Sequence, residues 1–231
     1  MENSVKIENL EIAAVADTSE SVGSLENSEI SEDAEMPEFA EKESFNVYDF
    51  DKTILPYDST AAFFIFCLKR QFSLIFAVIP AALAFPLFKL GLMSKTRCKE
   101  IFYRFLRKLE NIDRLVDMFW RIKKGDIYPW YLSQKQSSDV IISASPEFLL
   151  KPVCDELGVR LIASRVDKHT GKTEGLNNFG MEKLARFRAE FPVAVVSEFY
   201  SDSLSDEPLA FIAEKAFIIK HGRPFPWPNH P

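Results

Sequence analysis

Beyond residue 44 the chain alternates between short apolar runs and helix-length amphipathic segments. Runs rich in β-branched and aromatic residues fall at 45–49, 138–143, 159–163, 192–197 and 215–220. Helix-length segments fall between the later runs, at 146–157, 180–190 and 205–214. This alternation predicts an α/β protein: a parallel sheet whose near-continuous apolar strands are covered by helices on both faces. Between the first two runs lie about 80 residues of helical character, far too many for a loop. The expected organisation is therefore a core at 45–57 and 135–231, with a helical cap inserted at 58–134.

Within the insertion, Phe72 to Phe88 is free of charge but interrupted by Pro80 and Pro86. It lies at the lower limit of length for a membrane span. If groups before and after it share one site, a single crossing is forbidden. A buried cap helix and a surface-lying helix at a membrane both remain open. Aromatic bulk (Phe63, Phe64, Phe66, Phe102, Phe105) and interleaved cations (Lys95, Arg97, Lys99, Arg104) continue the pattern.

Charge changes this picture in one respect. Residues 1–44 hold 13 acidic and 2 basic residues, whereas residues 45–231 hold 21 and 26. The first segment is too polar to offset its ordering entropy and is expected to be a disordered acidic tail. It has neither the basic start nor the apolar stretch of a signal peptide. The rest is basic, which favours an anionic substrate or surface. Cys67, Cys98 and Cys154 are widely spaced and read as reduced intracellular thiols. His169, His221 and His230 have no metal-ligand spacing.

Asp49-Phe50-Asp51-Lys52-Thr53 directly follows the first run. Two carboxylates held this close raise each other's pKa, and a divalent cation would relieve the repulsion. The second run ends at Ser143-Ala144-Ser145-Pro146. Here Pro146 suits the first position of a helix and Ser145 its cap. Asn178-Phe179-Gly180 forms a turn before a helix that carries Lys183 in its first turn. A lysine normally prefers the opposite end, so an anion is expected nearby. Asp202 and Asp206 follow the fourth run. In open α/β sheets of the Rossmann-like kind, ligands bind beyond the carboxyl ends of the strands, where all these groups would meet.

The ordered set of Asp49, Asp51 and Thr53, strand-end Ser143, Lys183, and Asp202 with Asp206 resembles the haloacid dehalogenase-like superfamily of phosphohydrolases, over about residues 45–220. The string Asn178-Phe179-Gly180-x-x-Lys183 and the helical insertion are similar to the phosphoserine-phosphatase-like branch with a helical cap. The apolar, basic cap is reminiscent of phosphatidylglycerophosphatase C-type proteins. The resemblance implies that Asp49 is the nucleophile and Asp51 the general acid and base. It places Thr53, Ser143 and Lys183 on the phosphoryl group. Asp49, Asp202 and the backbone carbonyl of Asp51 would hold Mg²⁺, supported by Asp206. Asp58 is expected to meet a substrate amine or hydroxyl, or merely to cap a helix, and Arg97 to meet a substrate anion. Lys52 and Ser201 depart from the family pattern, which often has glycine at both positions.

The expected activity is Mg²⁺-dependent hydrolysis of a small phosphorylated metabolite in the cytoplasm, with no nucleic-acid partner. Two alternatives stay open. One is a lipid-phosphate phosphatase at an anionic membrane surface, on the inner face. The other is a non-catalytic phosphate-binding protein on the same scaffold.

Overall fold

A computed structural model describes residues 43–230. Six strands form one sheet: β1 (Ser44–Tyr48), β2 (Val140–Pro146), β3 (Arg160–Ser164), β4 (Val195–Ser201), β5 (Ala213–Lys220) and β6 (Arg223–Pro226). Their spatial order is β3-β2-β1-β4-β5-β6, parallel throughout except for β6. β1 lies at the centre, and the order reverses beside it, between β1 and β4. This is the switch point where an open sheet leaves a crevice for a ligand.

Around β1 and β2 both faces of the sheet are packed with apolar side chains, as a doubly covered parallel sheet requires. Phe45, Val47, Val140, Ile142 and Val196 pack on one side with Phe187 and Leu209. Their alternates Tyr48, Ile141 and Tyr200 pack on the other with Leu149, Leu150 and Val153. Helices α6 (Glu147–Leu157), α7 (Met181–Glu190) and α8 (Glu207–Ala210) supply these layers.

Five helices intervene between β1 and β2: α1 (Ser59–Leu68), α2 (Ile75–Lys89), α3 (Lys95–Tyr103), α4 (Ile112–Lys123) and α5 (Pro129–Gln134). Their aromatic residues form the interior of this region. The Phe63 and Phe66 rings each stand edge-on to Phe119, with centroids 5.6 Å apart. Trp120 joins this cluster to the sheet layer. Its ring meets Phe50, and its Nε1–H donates to the Leu149 carbonyl at 2.6 Å.

Several expectations need adjustment. The acidic segment lies outside the described residues up to residue 42, but Ser44, assigned to it, opens β1 and pairs with Val195. A strand's first residue needs only its backbone to join a ladder. The helix expected at 205–214 is one short turn, because Ala213 already pairs with Val196 at the start of β5. β6 was not expected, since it carries Pro224 and Pro226. Prolines are tolerated there because β6 is an edge strand. His221 and Gly222, both at positive φ, form the two-residue hairpin turn that reverses the chain into it.

Candidate active site

The strand ends aim the chemistry. Asp49 extends β1 by one bond, its N–H donating to the Tyr200 carbonyl of β4 at 2.8 Å. Side chains then alternate: Phe50 turns into the core, while Asp49 and Asp51 face a cavity of about 220 Å³. The Phe50 carbonyl accepts the N–H groups of Ile54 and Leu55, which curls the chain into a tight loop. Lys52 adopts φ +57° in that loop, the left-handed conformation that favours glycine. The loop geometry is thus kept without the glycine, at a strain of about 1–2 kcal/mol.

The cavity gathers Asp49, Asp51, Asp58, Ser143, Lys183, Asp202 and Asp206 from five separate segments. Lys183 is its electrostatic pivot. Fully buried, its Nζ lies 2.5 Å from Asp49 Oδ1 and 2.6 Å from Asp206 Oδ2. Burial opposes its charge, but the two carboxylates together hold its pKa above the usual lysine value. The Gly180 turn, at φ +61°, starts α7 so that Lys183 reaches this point. Asn178 fixes the turn by donating to the carbonyls of Ser143 and Ile162, each at 3.0 Å.

The two leading carboxylates are both harder to ionise than usual. Burial pushes Asp49 up to about 7, with Lys183 opposing and Asp206 and Asp51 adding to the rise. Burial also pushes Asp51 up to about 6, with Asp58 adding, while bonds from Ser145 and Ser59 oppose. Asp202, half-buried at the end of β4, is raised chiefly by burial. Ser201 is buried, and its hydroxyl donates to Asp206 Oδ2 at 2.8 Å. The residue that replaces a family glycine therefore anchors Asp206.

Some residues sit differently from expectation. Thr53 is fully buried and does not line the cavity. Its hydroxyl donates to Asp49 Oδ2 at 3.3 Å and accepts the Asp202 N–H at 3.0 Å, bracing the two strand-end loops against each other. Arg97 is exposed, pairs with Glu100 on its own helix at 3.2 Å, and does not line the cavity. Lys95 and Lys99 do so instead. They are four apart and share one face of α3, whereas residue 97 points about 200° away from Lys95 at 100° per residue. Arg104 is exposed as well. Asp58 both caps α1, accepting the Ala61 N–H at 2.8 Å, and lines the cavity. Pro146, not Ser145, occupies the helix cap position.

Ser145, Lys95 and Lys99 were missed as site residues. Ser145 is buried, and its hydroxyl donates to Asp51 Oδ2 with Ser59 and Thr60 beside it. Lys99 donates to the Ala144 carbonyl at 2.7 Å and to Asn177 Oδ1 at 2.9 Å, which ties the helical region to the end of β2 and to the segment before α7. Burial lowers its pKa, and that of Lys95 to about 8. The i, i+4 spacing of two lysines on a short helix was the available signal.

The donor set can be tested against a divalent cation. Among the described residues, no three His, Cys, Asp or Glu side chains converge as a metal cluster. Mg²⁺ does not need one, since it keeps several waters and takes one or two carboxylates. Asp49 and Asp202 face one cavity. Asp206 Oδ1 is buried without a hydrogen-bond partner, an acceptor available to a metal-bound water. The residues present fit the ion.

No curated protein matches the sequence significantly. Solved structures do. A protein of unknown function from Bordetella pertussis Tohama I superposes with a TM-score of 0.60 at 20% identity, over 77% of this chain and 90% of that one. A probable phosphoserine phosphatase from Vibrio cholerae gives 0.56 at 12% identity, over 76% and 55%. A phospho-aspartyl intermediate analogue of a phosphoserine phosphatase gives 0.50 at 14%, over 77% and 87%. At these identities the likeness is one of fold. The model of the family described as haloacid dehalogenase-like hydrolase matches residues 47–210, which include Asp49, Asp51, Ser143, Lys183, Asp202 and Asp206, and the chain belongs to that family.

Proposed function

We propose that this protein hydrolyses the phosphomonoester of a small phosphorylated metabolite, through an aspartyl-phosphate on Asp49 and with Mg²⁺ as cofactor. The observation that carries the reading is the buried Asp49–Lys183–Asp206 array facing a cavity with a second carboxylate, Asp51, beside it. A carboxylate that attacks phosphorus must be ionised yet poorly solvated, and Lys183 favours that state in a buried setting. The similarity of fold to phosphoserine phosphatases supports the same assignment. The cavity is smaller than the roughly 300–1,000 Å³ of drug-sized ligand sites, which suits a small ester.

In this reading an Asp49 oxygen attacks phosphorus and the ester P–O bond breaks. Asp51, whose raised pKa keeps a protonated fraction near neutrality, gives its proton to the leaving oxygen. Asp51 then takes a proton from the water that cleaves the acyl-phosphate and frees Asp49. Ser143 and Lys183 hold the transferring phosphoryl oxygens, and their placement before the reaction is the main source of rate. Mg²⁺, held by Asp49, Asp202 and the Asp51 carbonyl, would neutralise phosphoryl charge. Asp58, Lys95 and Lys99 also line the cavity and would select the leaving group.

The test is phosphate release from p-nitrophenyl phosphate with Mg²⁺, comparing the parent with Asp49→Asn. Release by the parent that vanishes in the variant supports the nucleophile. Equal rates would reject it. A folded parent that binds phosphate without turnover would mark a non-catalytic scaffold.

A further inference from the structure

The outer face of α2 carries no polar side chain. At 100° per residue, Phe76, Ile79, Leu83, Leu87 and Leu90 at the C-terminal cap fall within an arc of about 80°, and Phe72 stands in the short turn just before the helix. Phe72 is 77% exposed, Phe76 64%, Leu83 71% and Leu90 71%. On the opposite arc Leu74 and Ala84 are buried and Ala77, Val78 and Phe88 half-buried, whereas Phe85 is exposed; α2 packs chiefly on α3. A helix on the surface of a water-soluble protein presents its polar face outward. An exposed apolar face this continuous marks an interaction surface.

We infer that α2 docks this protein on an anionic phospholipid bilayer, with its outer face lying in the interface. Charge selects this occupant. From residue 59 to residue 99 there is no Asp or Glu, while Lys69, Arg70 and Lys89 are cationic and exposed. Lys69, exposed at the C-terminal cap of α1, and Lys89, exposed in the last turn of α2, flank the apolar segment along the chain with positive charge. A second copy of the chain on the same face would bring these like charges together with no acid to offset them. An anionic lipid surface supplies the opposite charge, while its acyl boundary takes the apolar side chains. The polar face usual in an interfacial helix is absent because protein covers most of that side.

A membrane crossing is excluded by the sheet. β1 precedes α2 and β2 follows it, and the two strands pair in parallel. Both ends of the helix therefore remain on one side of the bilayer. The docking stands apart from the proposed catalysis, because no outer-face residue lines the cavity.

The experiment is co-sedimentation of the full chain with phosphatidylcholine vesicles, with and without phosphatidylglycerol. It is repeated for Phe76→Gln/Leu83→Gln, two exposed positions whose replacement leaves the core intact. Binding to the anionic vesicles should exceed binding to the neutral ones at least tenfold, weaken in high salt, and fall at least tenfold in the double variant. Circular dichroism and p-nitrophenyl phosphate turnover in solution should be unchanged. No sedimentation of the parent with anionic vesicles at low salt would overturn the inference, as would equal binding by the double variant. So would a concentration-dependent dimer, dispersed by the two substitutions, in a protein that ignores lipid.

Discussion

Lys183 Nζ stands 2.5 Å from Asp49 Oδ1, although 134 positions separate the two residues along the chain. The lysine also reaches Asp206, so one buried cation serves two buried carboxylates. Removing the cation leaves both uncompensated. Lys183→Met should therefore lose roughly 3–5 kcal/mol of stability as well as activity, measured by urea unfolding. Asp49→Asn retains the Asp206 partner and should stay near the parent in stability while losing turnover. Similar unfolding midpoints for Lys183→Met and the parent would show that the array carries no such energy.

Asp51 and Ser145 make a separable pair. Asp51→Asn removes the proton donor and should lower kcat by about 10²–10⁴-fold. Ser145→Ala should act more gently. The Ser145 hydroxyl stabilises the ionised Asp51, so its loss raises the Asp51 pKa above about 6. The limb of the kcat/KM profile on which activity falls as Asp51 deprotonates should then move to higher pH. An unmoved limb in Ser145→Ala would refute this coupling.

Metal removal should abolish turnover, and added Mg²⁺ should restore it. Asp202→Ala should raise the Mg²⁺ concentration needed for half-maximal rate at least tenfold, with circular dichroism unaltered. Full activity in excess chelator would remove the cation from the proposed function.

Lys52 at φ +57° provides a test of backbone strain. Lys52→Gly and Lys52→Ala both delete the amine, but only glycine accepts this conformation freely. The glycine variant should be the more stable of the two by about 1 kcal/mol in denaturant titration. Equal midpoints would mean that the loop relaxes around the side chain.

Asp139 predicts a pH dependence remote from the site. Its side chain is fully buried, with Oδ2 accepting the Gln136 N–H at 2.9 Å and Oδ1 without a partner. Burial raises its pKa to about 6, above the unfolded value of about 3.9. The folded state thus resists ionisation. This cost is present in full above pH 6 and disappears as pH falls through 6 toward the unfolded value. Asp139→Asn should stabilise the protein at pH 8 and lose that advantage near pH 4. A stability difference that does not change with pH would rule out a raised Asp139 pKa.

The sequence by itself determined the sheet and the order of its chemistry. Val140-Ile141-Ile142 in β2 is buried on both faces and so must be continuously apolar, while β4 and β5 keep enough of that pattern, despite Ser197-Glu198 and Glu214-Lys215, to be read as strands. The groups beyond the strand ends then follow in chain order. Periodicity and turn residues are local signals, and Asp49, Asp51, Ser143, Lys183, Asp202 and Asp206 were legible from them. Tertiary structure decided what depends on distant partners. Thr53 became a brace because Asp202 packs beside it. Ser145 left the helix cap for Asp51 because β2 brings it alongside the Asp49–Asp51 loop. Lys95 and Lys99 displaced Arg97 because the rotation of α3 about its axis is set by its packing, which spacing alone does not fix. The same holds for α2, whose composition suits a buried core as well as a membrane surface. Only the exposure of its outer face distinguishes the two.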